Sequence, residues 1–484
     1  MTHKTRNILF ITLFILFLII APITVFYSLG WRFDWETKKV VQTGVFYFKV
    51  WPKNVQVYIN GEFKKKTDIF FSSAHIDNLL PGQYEIEIKK DGYYDWKKTL
   101  EIKKREVTEG KNIVLIPKNP NFNLLSEQVK DFFFSPDGKK VILKEIWLAS
   151  RSSLEASEGW SLKIFDLNRS IKSHLINETE FIEARLRQGS GGQVEIIDLR
   201  FSPDSKDVLL KLGLKENIYY YILETDASPA KLTKIDFLDS ADQIYFHPID
   251  SQKLFISQTI TEKKSKQEKT TINEVDLESK EILPPLIEDI VAFSINGNNI
   301  YYLDSSGSFL KTDFSAQKKE KLNIVPFSLK KETLYEIIIS ASKIFIKEDN
   351  ALYIFDENQK SFKKFFEPIK DLKLSPDFKK IVYFNDYEIC LLFLEKQYDQ
   401  PTKEAGEQLF ITRFSEKIND IFWYTDYYLI FNLGDKIKVA EIDERDKINI
   451  NDLAEFKDPK IFFANKKLYL LSEENLYASE SLTP

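Results

Sequence analysis

The chain has 484 residues, of which 43% are hydrophobic and 14% aromatic, and its formal net charge is -5. This composition is too apolar for a disordered protein, and the length predicts two or more domains. The small net charge gives no domain-wide basic field of the kind that binds nucleic acid. The single cysteine, Cys390, excludes an internal disulfide. Its apolar neighbours predict a buried strand thiol rather than a reactive nucleophile.

The N-terminus carries an uninterrupted apolar run from Ile8 to Tyr27 without a charged residue. A helix of roughly 20 residues spans the ~30 Å hydrocarbon core of a bilayer. A cleaved signal peptide is the alternative, but its apolar region is usually about 7 to 15 residues long and ends in small residues. Ala21 and Pro22 offer no such cleavage pattern, and bulky Phe26 follows. The run therefore favours an uncleaved membrane anchor.

The charges around this run predict its orientation. Lys4 and Arg6 precede it, which favours a cytoplasmic N-terminus under the positive-inside rule. We therefore interpret residues 1–30 as a cytoplasmic stub and transmembrane anchor, and residues 31–43 as a juxtamembrane linker. The expected location is the cell membrane, with a single pass and the bulk of the chain extracytoplasmic. Tyr27, Trp31 and Trp35 would form an interfacial aromatic belt.

Residues 44–118 read as short strands of alternating polarity. Val57-Tyr58-Ile59 runs into Asn60-Gly61, a typical hairpin turn, and Tyr84 to Ile88 alternates with a period of two. Together with Pro81-Gly82, Gly92-Tyr93 and Trp96, these residues follow the order of the PEGA domain, which the segment resembles. Pro52-Lys53-Asn54-Val55 departs from the family's Pro-Glu-Gly-Ala. The resemblance implies a small β-sandwich that serves as a spacer or interaction module without catalysis. An unrelated immunoglobulin-like sandwich would lead to the same functional conclusion.

From residue 119 to 484 the sequence repeats. Eight units each begin with an apolar strand and a turn, and their spacing, roughly 35 to 50 residues except for a longer first step, matches the four-stranded blade of a propeller. Three of the turns read Ser-Pro-Asp, in which proline presets φ and the polar side chains bond the local backbone. The predicted first strands are Asp131–Phe134, Leu199–Phe201, Ile244–Phe246, Val291–Ser294, Ile337–Ser340, Leu372–Leu374, Ile421–Trp423 and Ile461–Ala464.

The Ser-Pro-Asp turns resemble those of TolB-like, WD-repeat-like β-propellers. The expected fold class is thus all-β: a transmembrane helix, a small PEGA-like sandwich and a propeller of about eight four-stranded blades, with seven as the alternative. The last unit has no chain left for a fourth strand. Phe122-Asn123-Leu124-Leu125, just before the first unit, is placed to supply it as a clasp that closes the ring.

The sequence contains little that indicates catalysis. Only four histidines occur, without a metal-binding spacing, and Gly189-Ser190-Gly191-Gly192 lacks the spacing of a nucleophile elbow. No cofactor is predicted. The preferred function is a membrane-anchored bacterial surface protein whose propeller binds a protein, a peptide or an envelope polymer, and which is not an enzyme. The alternative is a glycan-active or lyase-type envelope enzyme, which would need carboxylates and arginines clustered at the central channel.

Long connections predict where binding takes place, because connections within blades are short. The segments 145–160, 182–194 and 260–270 are expected on one face, and the insertion from Gln397 to Gln408 on the opposite face. The first two segments supply residue types that are enriched where binding energy concentrates. An alternative interpretation is that the two tryptophans only pack at strand ends. The candidate binding residues are Trp147, Arg151, Trp160, Arg185 and Arg187.

Overall fold

The computed structural model describes residues 3–35, 37–148, 158–181, 194–214, 216–238, 241–261 and 268–483. Helix α1 (His3–Ser28) covers the predicted apolar run. Its mean hydropathy reaches 3.0, and among the described helices it alone is long and apolar enough to cross a membrane. A signal sequence near the N-terminus meets the same criterion.

The segment predicted as a linker forms a hairpin of β1 (Trp31–Asp34) and β2 (Lys39–Gln42). Arg32 joins this hairpin to the helix, since its guanidinium lies 3.4 Å from the centroid of the Tyr27 ring and donates to the Tyr27 carbonyl oxygen at 2.7 Å. The same guanidinium donates to Asn78 in the following domain. The linker therefore connects the helix to that domain through side-chain contacts and is not an extended chain.

Residues 44–118 form two sheets around one hydrophobic core. One sheet pairs in the order β6-β3-β9, with β3 and β9 parallel, and the other in the order β5-β4-β7-β8. The core combines apolar side chains of both sheets, among them Phe46, Phe48 and Ile86. The strands are β3 (Gly44–Trp51), β4 (Gln56–Ile59), β5 (Glu62–Lys66), β6 (Ser73–Leu79), β7 (Gly82–Lys89), β8 (Trp96–Ile102) and β9 (Val107–Val114).

Within the described residues, the rest of the chain forms eight antiparallel sheets, numbered here in chain order. Sheets 1 to 4 each pair strands consecutive in sequence, and β23 pairs with β21 at the side of sheet 3. Short 3₁₀ turns lie at Glu178–Glu180 and Asp236–Leu238. The strands of sheet 1 are β11 (Val129–Phe134), β12 (Lys140–Leu148), β13 (Glu158–Asp166) and β14 (Ile171–Asn177); those of sheet 2 are β15 (Glu195–Phe201), β16 (Asp207–Leu214), β17 (Asn217–Glu224) and β18 (Lys231–Lys234). The strands of sheet 3 are β19 (Ala241–Phe246), β20 (Lys253–Thr261), β21 (Glu268–Asp276), β22 (Glu281–Ile282) and β23 (Ile287–Glu288); those of sheet 4 are β24 (Ile290–Asn296), β25 (Asn299–Asp304), β26 (Phe309–Asp313) and β27 (Glu320–Lys321).

Sheets 5 to 7 repeat this meander, and sheet 8 has the order β10-β42-β41-β40. Each of the eight predicted first strands lies in the strand that begins the corresponding meander. In sheet 8 this strand is β40, because β10 joins that sheet from the other end of the repeated region. The strands of sheet 5 are β28 (Tyr335–Ser340), β29 (Lys343–Glu348), β30 (Ala351–Asp356) and β31 (Ser361–Phe366); those of sheet 6 are β32 (Asp371–Leu374), β33 (Lys380–Phe384), β34 (Glu388–Phe393) and β35 (Gln408–Arg413). The strands of sheet 7 are β36 (Ile418–Thr425), β37 (Tyr428–Leu433), β38 (Lys436–Glu441) and β39 (Ile450–Glu455); those of sheet 8 are β10 (Phe122–Ser126), β40 (Lys460–Ala464), β41 (Lys467–Ser472) and β42 (Asn475–Ser479).

The predicted clasp is confirmed. Strand β10 comes before sheet 1 in the chain but pairs with β42, the last strand of the chain, so that Phe122 lies opposite Ser479 and Asn123 opposite Ala478. Sheet 8 thereby gains a fourth strand, and the edge of β42 is covered. The two ends of the repeated region are thus held in one sheet.

The Ser-Pro-Asp turns have the geometry that their residue types predict. The hydroxyl of Ser135 donates to Asp137 Oδ1 at 2.7 Å and accepts the backbone N–H of Lys140 at 2.9 Å. Gly138 follows with a φ of +67°, which glycine adopts without steric cost. The turns at Ser202 and Ser375 repeat the serine–aspartate bond. Each repeat is therefore fixed by chemistry local to it.

Hydrophobic clusters join each sheet to the next. Adjacent residues on one strand serve opposite faces of the sheet: Ile142 of β12 belongs to the cluster shared with sheet 2, whereas Val141 belongs to the cluster shared with sheet 8. Corresponding clusters connect the intervening sheets in order. Ion pairs also link first strands, between Lys373 and Asp420 and between Lys460 and Asp131. The succession of sheets returns to its start, so the region has a propeller-like fold.

Candidate functional site

A pocket of about 420 Å³ lies at one end of the space that the first strands enclose. It is lined from sheets 2, 3 and 5, which contribute charged side chains of their first strands. Asp242 and Glu336 are the second residues of β19 and β28, and Asp349 lies in the turn after β29. The pocket thus opens on the face that carries the connections between second and third strands. We call it the channel-mouth pocket.

The strand geometry of β15 places an ion pair in this pocket. The ladder to β16 shifts register between Ile196 and Asp198, and such a bulge re-aims the side chains that follow it. Asp198 and Arg200 are two positions apart and point to the same side of the strand. Their Oδ2 and Nε atoms lie 2.6 Å apart, and the Arg200 side chain is 53% exposed. The Arg200 side chain therefore remains partly accessible to a ligand.

The pocket carries charges of both signs and three tyrosines. Lys211 and Lys347 add positive charge to that of Arg200, and rings come from Tyr220, Tyr245 and Tyr335. Burial raises the pKa of Tyr245, so its hydroxyl stays protonated and able to donate. Burial also raises the pKa of Tyr335, whose hydroxyl donates to Glu348 Oε1 at 3.0 Å. An arrangement of this kind can bind a ligand that carries both charged groups and apolar surface.

The two tryptophans of the predicted binding face lie on opposite faces of sheet 1. Trp160 is only 6% exposed, packs 5.5 Å from the Phe181 ring and donates its indole N–H to the Val194 carbonyl oxygen at 2.8 Å. Trp147 is exposed and covers Gly159, its partner in the ladder. The alternative of strand-end packing therefore describes Trp160, whereas Trp147 faces solvent.

The arginines of that prediction, Arg151, Arg185 and Arg187, lie outside the described residues. Their role in binding stays a prediction.

The channel-mouth residues were not singled out in the sequence, although a signal is present. An aspartate recurs immediately before a buried apolar residue in several first strands, as in Asp198-Leu199 and Asp371-Leu372. In the second of these the carboxylate accepts the next backbone N–H at 2.8 Å. Position within the repeat, rather than a motif, is what identifies these side chains.

The PEGA-like domain is held against sheet 7 by a buried polar cluster. Lys98 of β8 and Glu441 of β38 lie 2.7 Å apart with side-chain exposures of 0% and 2%. Glu441 also accepts the indole N–H of Trp96 at 2.7 Å and the backbone N–H of Asn449 at 2.9 Å. Burial raises the pKa of Glu441, and the Lys98 ammonium opposes this effect. Every charge in the cluster therefore has a partner, as a buried ion pair requires.

A second contact uses the insertion from Gln397 to Gln408, which connects β34 and β35 as predicted. Gln400 accepts the backbone N–H of Glu109 at 3.0 Å and donates to the Val107 carbonyl oxygen at 3.0 Å. Arg445, held by Asp443, donates to the Glu109 carbonyl oxygen at 2.8 Å. This insertion thus serves to dock the parallel edge strand β9.

An apolar contact completes the junction. Val114 belongs to the hydrophobic cluster between sheets 7 and 8, and its N–H donates to the Tyr428 hydroxyl at 3.0 Å. Complete burial raises the pKa of Tyr428 well above its ordinary value. All these contacts involve third-to-fourth-strand or first-to-second-strand connections. The PEGA-like domain therefore docks on the face opposite to the channel-mouth pocket.

Within the described ranges, no group of three or more His, Cys, Asp or Glu side chains is arranged to hold a metal ion.

Solved structures resemble this chain at low sequence identity. The Dos1 propeller is 13% identical with a TM-score of 0.43, and covers 75% of this chain and 95% of its own. The β-propeller domain of Cps50 (Swd1) from Myceliophteria thermophila is 12% identical with a TM-score of 0.40, covering 75% and 100%. An oligogalacturonate lyase in complex with manganese is 12% identical with a TM-score of 0.38, covering 75% and 93%. Their functions are mixed and assign none to this chain.

No curated protein matches the chain in sequence. One protein-family model does match, over the segment whose two sheets dock onto the propeller-like region. Residues 49–114 match the PEGA domain.

Proposed function

We propose that the chain is a membrane-anchored, extracytoplasmic binding protein of the bacterial cell surface, without catalytic activity. Helix α1 is the uncleaved anchor with its N-terminus in the cytoplasm. The PEGA domain is a rigid spacer, and the following region is a TolB-like propeller of eight blades closed by the β10 clasp. The ligand is a protein, a peptide or an envelope polymer.

One observation carries this proposal: the domain nearest the helix docks on one face of the sheets, and the channel-mouth pocket opens on the other. The contacts run from Tyr27 through Arg32 to Asn78, and from Lys98 to Glu441. An anchored protein with this connection presents its pocket away from the membrane at a fixed distance. Such a presentation suits capture of a ligand beyond the membrane surface.

The eight-blade architecture is supported by the eight sheets of the described residues and by the clusters that join them cyclically. The binding surface would include the channel-mouth pocket, exposed Trp147 and the predicted arginines Arg151, Arg185 and Arg187. Trp160 is left out, because it packs in the interior.

The location is tested with the full-length protein in cells. An anchored protein stays with the membrane fraction in alkaline carbonate, and external protease digests the part after α1. A mature N-terminus beginning after Ala21 contradicts the anchor. Protection of the sheets from external protease contradicts the orientation.

Binding is tested by affinity capture from envelope extract, with Arg200→Ala/Lys347→Ala compared with the parent. We expect a specific ligand to be lost at unchanged melting temperature, because neither side chain supports the core. A control, Lys206→Ala, removes an exposed lysine of the opposite face. Equal capture by all three proteins excludes the channel-mouth pocket.

The enzyme alternative has one observation in its favour, the carboxylates of Asp198, Asp242, Glu336 and Asp349 around this pocket. If it holds, Asp242→Asn/Glu336→Gln abolishes turnover of an envelope polymer while binding persists. Turnover by this variant at the parent's rate, or no turnover by the parent, excludes this alternative.

A further inference from the structure

The PEGA domain presents three consecutive large apolar residues to solvent. Ile69, Phe70 and Phe71, in the loop between β5 and β6, are 72%, 84% and 76% exposed. In the described chain beyond α1, this is the only such run of three. Exposed apolar surface costs roughly 25 cal/mol per Å² relative to burial. A contiguous patch of this kind marks an interaction site.

The loop is fixed rather than loosely attached. Asp68 accepts the backbone N–H groups of Phe71 and Ser73 and the hydroxyl of Ser73. The Ser72 carbonyl oxygen accepts the N–H of Val50 at 3.0 Å. These hydrogen bonds hold the pKa of Asp68 at about 2, so the carboxylate stays charged at neutral pH. The fold therefore holds the two phenylalanines in place on the surface.

Phe70 and Phe71 form the rim of a cleft of about 770 Å³ between the PEGA domain and sheet 7. One wall is the outer face of β3, where Trp51 points outward, and the opposite wall is the turn that contains Tyr427. The volume is in the range of sites that hold ligands of drug size, which corresponds to a few residues of peptide. Aromatic side chains on several sides are typical of surfaces where binding energy concentrates.

The charges at this cleft are mainly positive. Lys49 and Lys53 line it, both are exposed, and neither forms an ion pair with another described residue. Lys111 is the third lysine and is already paired with Glu109 and Asp399. The one carboxylate of the lining is Asp426. Two uncompensated ammonium groups beside aromatic rings favour an acidic ligand.

A lipid surface is disfavoured as the occupant because of the direction of β6. This strand runs from Ser73, next to the loop, to Leu79, next to the Arg32–Asn78 contact at the end of the helix. At roughly 3.3 Å per residue the loop lies about 20 Å along the strand from the site where the anchor enters the domain. The apolar loop is thus at the end of the PEGA domain that faces the propeller.

We propose that the cleft between the PEGA domain and sheet 7 binds an acidic segment of a partner protein, and that aromatic or aliphatic side chains of this segment pack on Phe70 and Phe71. This site is distinct from the channel-mouth pocket and on the opposite face. Loss of either site would leave the other intact, so their tests are independent.

The probe is a fluorescein-labelled random copolymer of glutamate and tyrosine, titrated with the full-length protein in detergent and followed by fluorescence anisotropy. We expect saturable binding that weakens as salt rises, because exposed charges are screened. Phe70→Ser/Phe71→Ser should weaken it at least tenfold, and Lys49→Gln/Lys53→Gln at least threefold. Polyglutamate should bind less well than the copolymer, and a lysine–tyrosine copolymer should not bind.

The matched control is Ile324→Ser/Val325→Ser, which removes an exposed apolar pair from the propeller-like region. It should bind as the parent does, and all variants should keep the parent's melting temperature. Equal affinity of the Phe70/Phe71 variant and the control overturns the proposal. Binding of phosphatidylglycerol vesicles or polygalacturonate that depends on Phe70 and Phe71, with no binding of the copolymer, reassigns the cleft and also overturns it.

Discussion

The ammonium of Lys98 lies 2.7 Å from Glu441 Oε1, and both side chains are almost fully buried between the PEGA domain and sheet 7. Lys98 also donates to the carbonyl oxygens of Asp443 and Lys447, each at 2.9 Å. Removing one partner of such a pair leaves a buried charge without compensation. We therefore expect Lys98→Met to destabilise the junction by about 3 to 5 kcal/mol. Urea unfolding followed by tryptophan fluorescence measures this, since Trp96 lies in the junction.

The neighbouring residue provides the control. Lys97 pairs with Glu87, which also pairs with Lys89, and the Lys97 side chain is half exposed. A surface ion pair contributes about 0 to 1 kcal/mol, so Lys97→Met should change stability little. Equal effects of the two substitutions would contradict a specific role for the buried pair.

The clasp predicts that the ends of the repeated region stabilise each other. Replacing residues 122–126 by a glycine–serine segment of equal length removes β10 without shortening the connection to the PEGA domain. The edge of β42 is then exposed and the Phe122–Phe456 contact is lost. We expect the melting temperature to fall by several degrees, measured by differential scanning calorimetry.

A rescue distinguishes strand pairing from a nonspecific effect. The sequence of residues 122–126 is returned through a glycine-rich linker after Thr483, where it can again pair with β42. Recovery of most of the lost melting temperature supports the clasp. If the replacement leaves melting unchanged, the clasp does not stabilise the ring.

The two tryptophans of sheet 1 predict opposite results from the same substitution. Trp160→Ala removes a ring that packs on Phe181 and leaves the Val194 carbonyl oxygen without its donor. A buried tryptophan replaced by alanine costs about 3 to 5 kcal/mol. Trp147→Ala removes an exposed ring from Gly159 and should cost less than about 1 kcal/mol. Denaturant unfolding of both variants measures the difference, and similar losses would contradict the placement of these rings.

The sequence predicted those features that local chemistry determines. The turn at Ser135 forms because the serine and aspartate side chains hydrogen-bond within the turn and proline presets φ. Repetition of this turn along the sequence indicates repeated sheets. The clasp followed from counting strands. The docking of Lys98 on Glu441 could not be predicted in this way, because residues far apart in sequence meet and neither side chain differs locally from a surface charge. The same limit applies to Asp242 and Glu336, which come together only when sheets 3 and 5 face one space.

The burial of Trp160 also could not be predicted from the sequence. Its position at the edge of a long connection resembles that of Trp147, and only the alternation of side chains along β13 decides which one enters the interior. A shift of one residue in register would exchange the two faces. The sequence alone does not fix the register at a strand end that leads into a long connection.

The burial of the Cys390 thiol predicts that the stability of the fold depends on pH. It lies buried in β34, and burial, followed by the nearby Glu388 carboxylate, raises its pKa to about 11. The folded-state pKa is above the ordinary value of 9.0, so the fold favours the neutral thiol. This contribution is fully present below pH 9 and is lost as the pH rises toward 11. At pH 8 only roughly one native thiol in a thousand is ionised, and the thiolate is the reacting form.

We therefore expect Ellman's reagent to modify the native protein at pH 8 far more slowly than the urea-unfolded protein, by at least a hundredfold. The reaction should accelerate along the same urea profile as tryptophan fluorescence, because sheet 6 must open first. Cys390→Ala, which gives no signal, is the control for reagent turnover. Rapid modification of the native protein would show that β34 is accessible and that Cys390 is not an interior residue of the sheet.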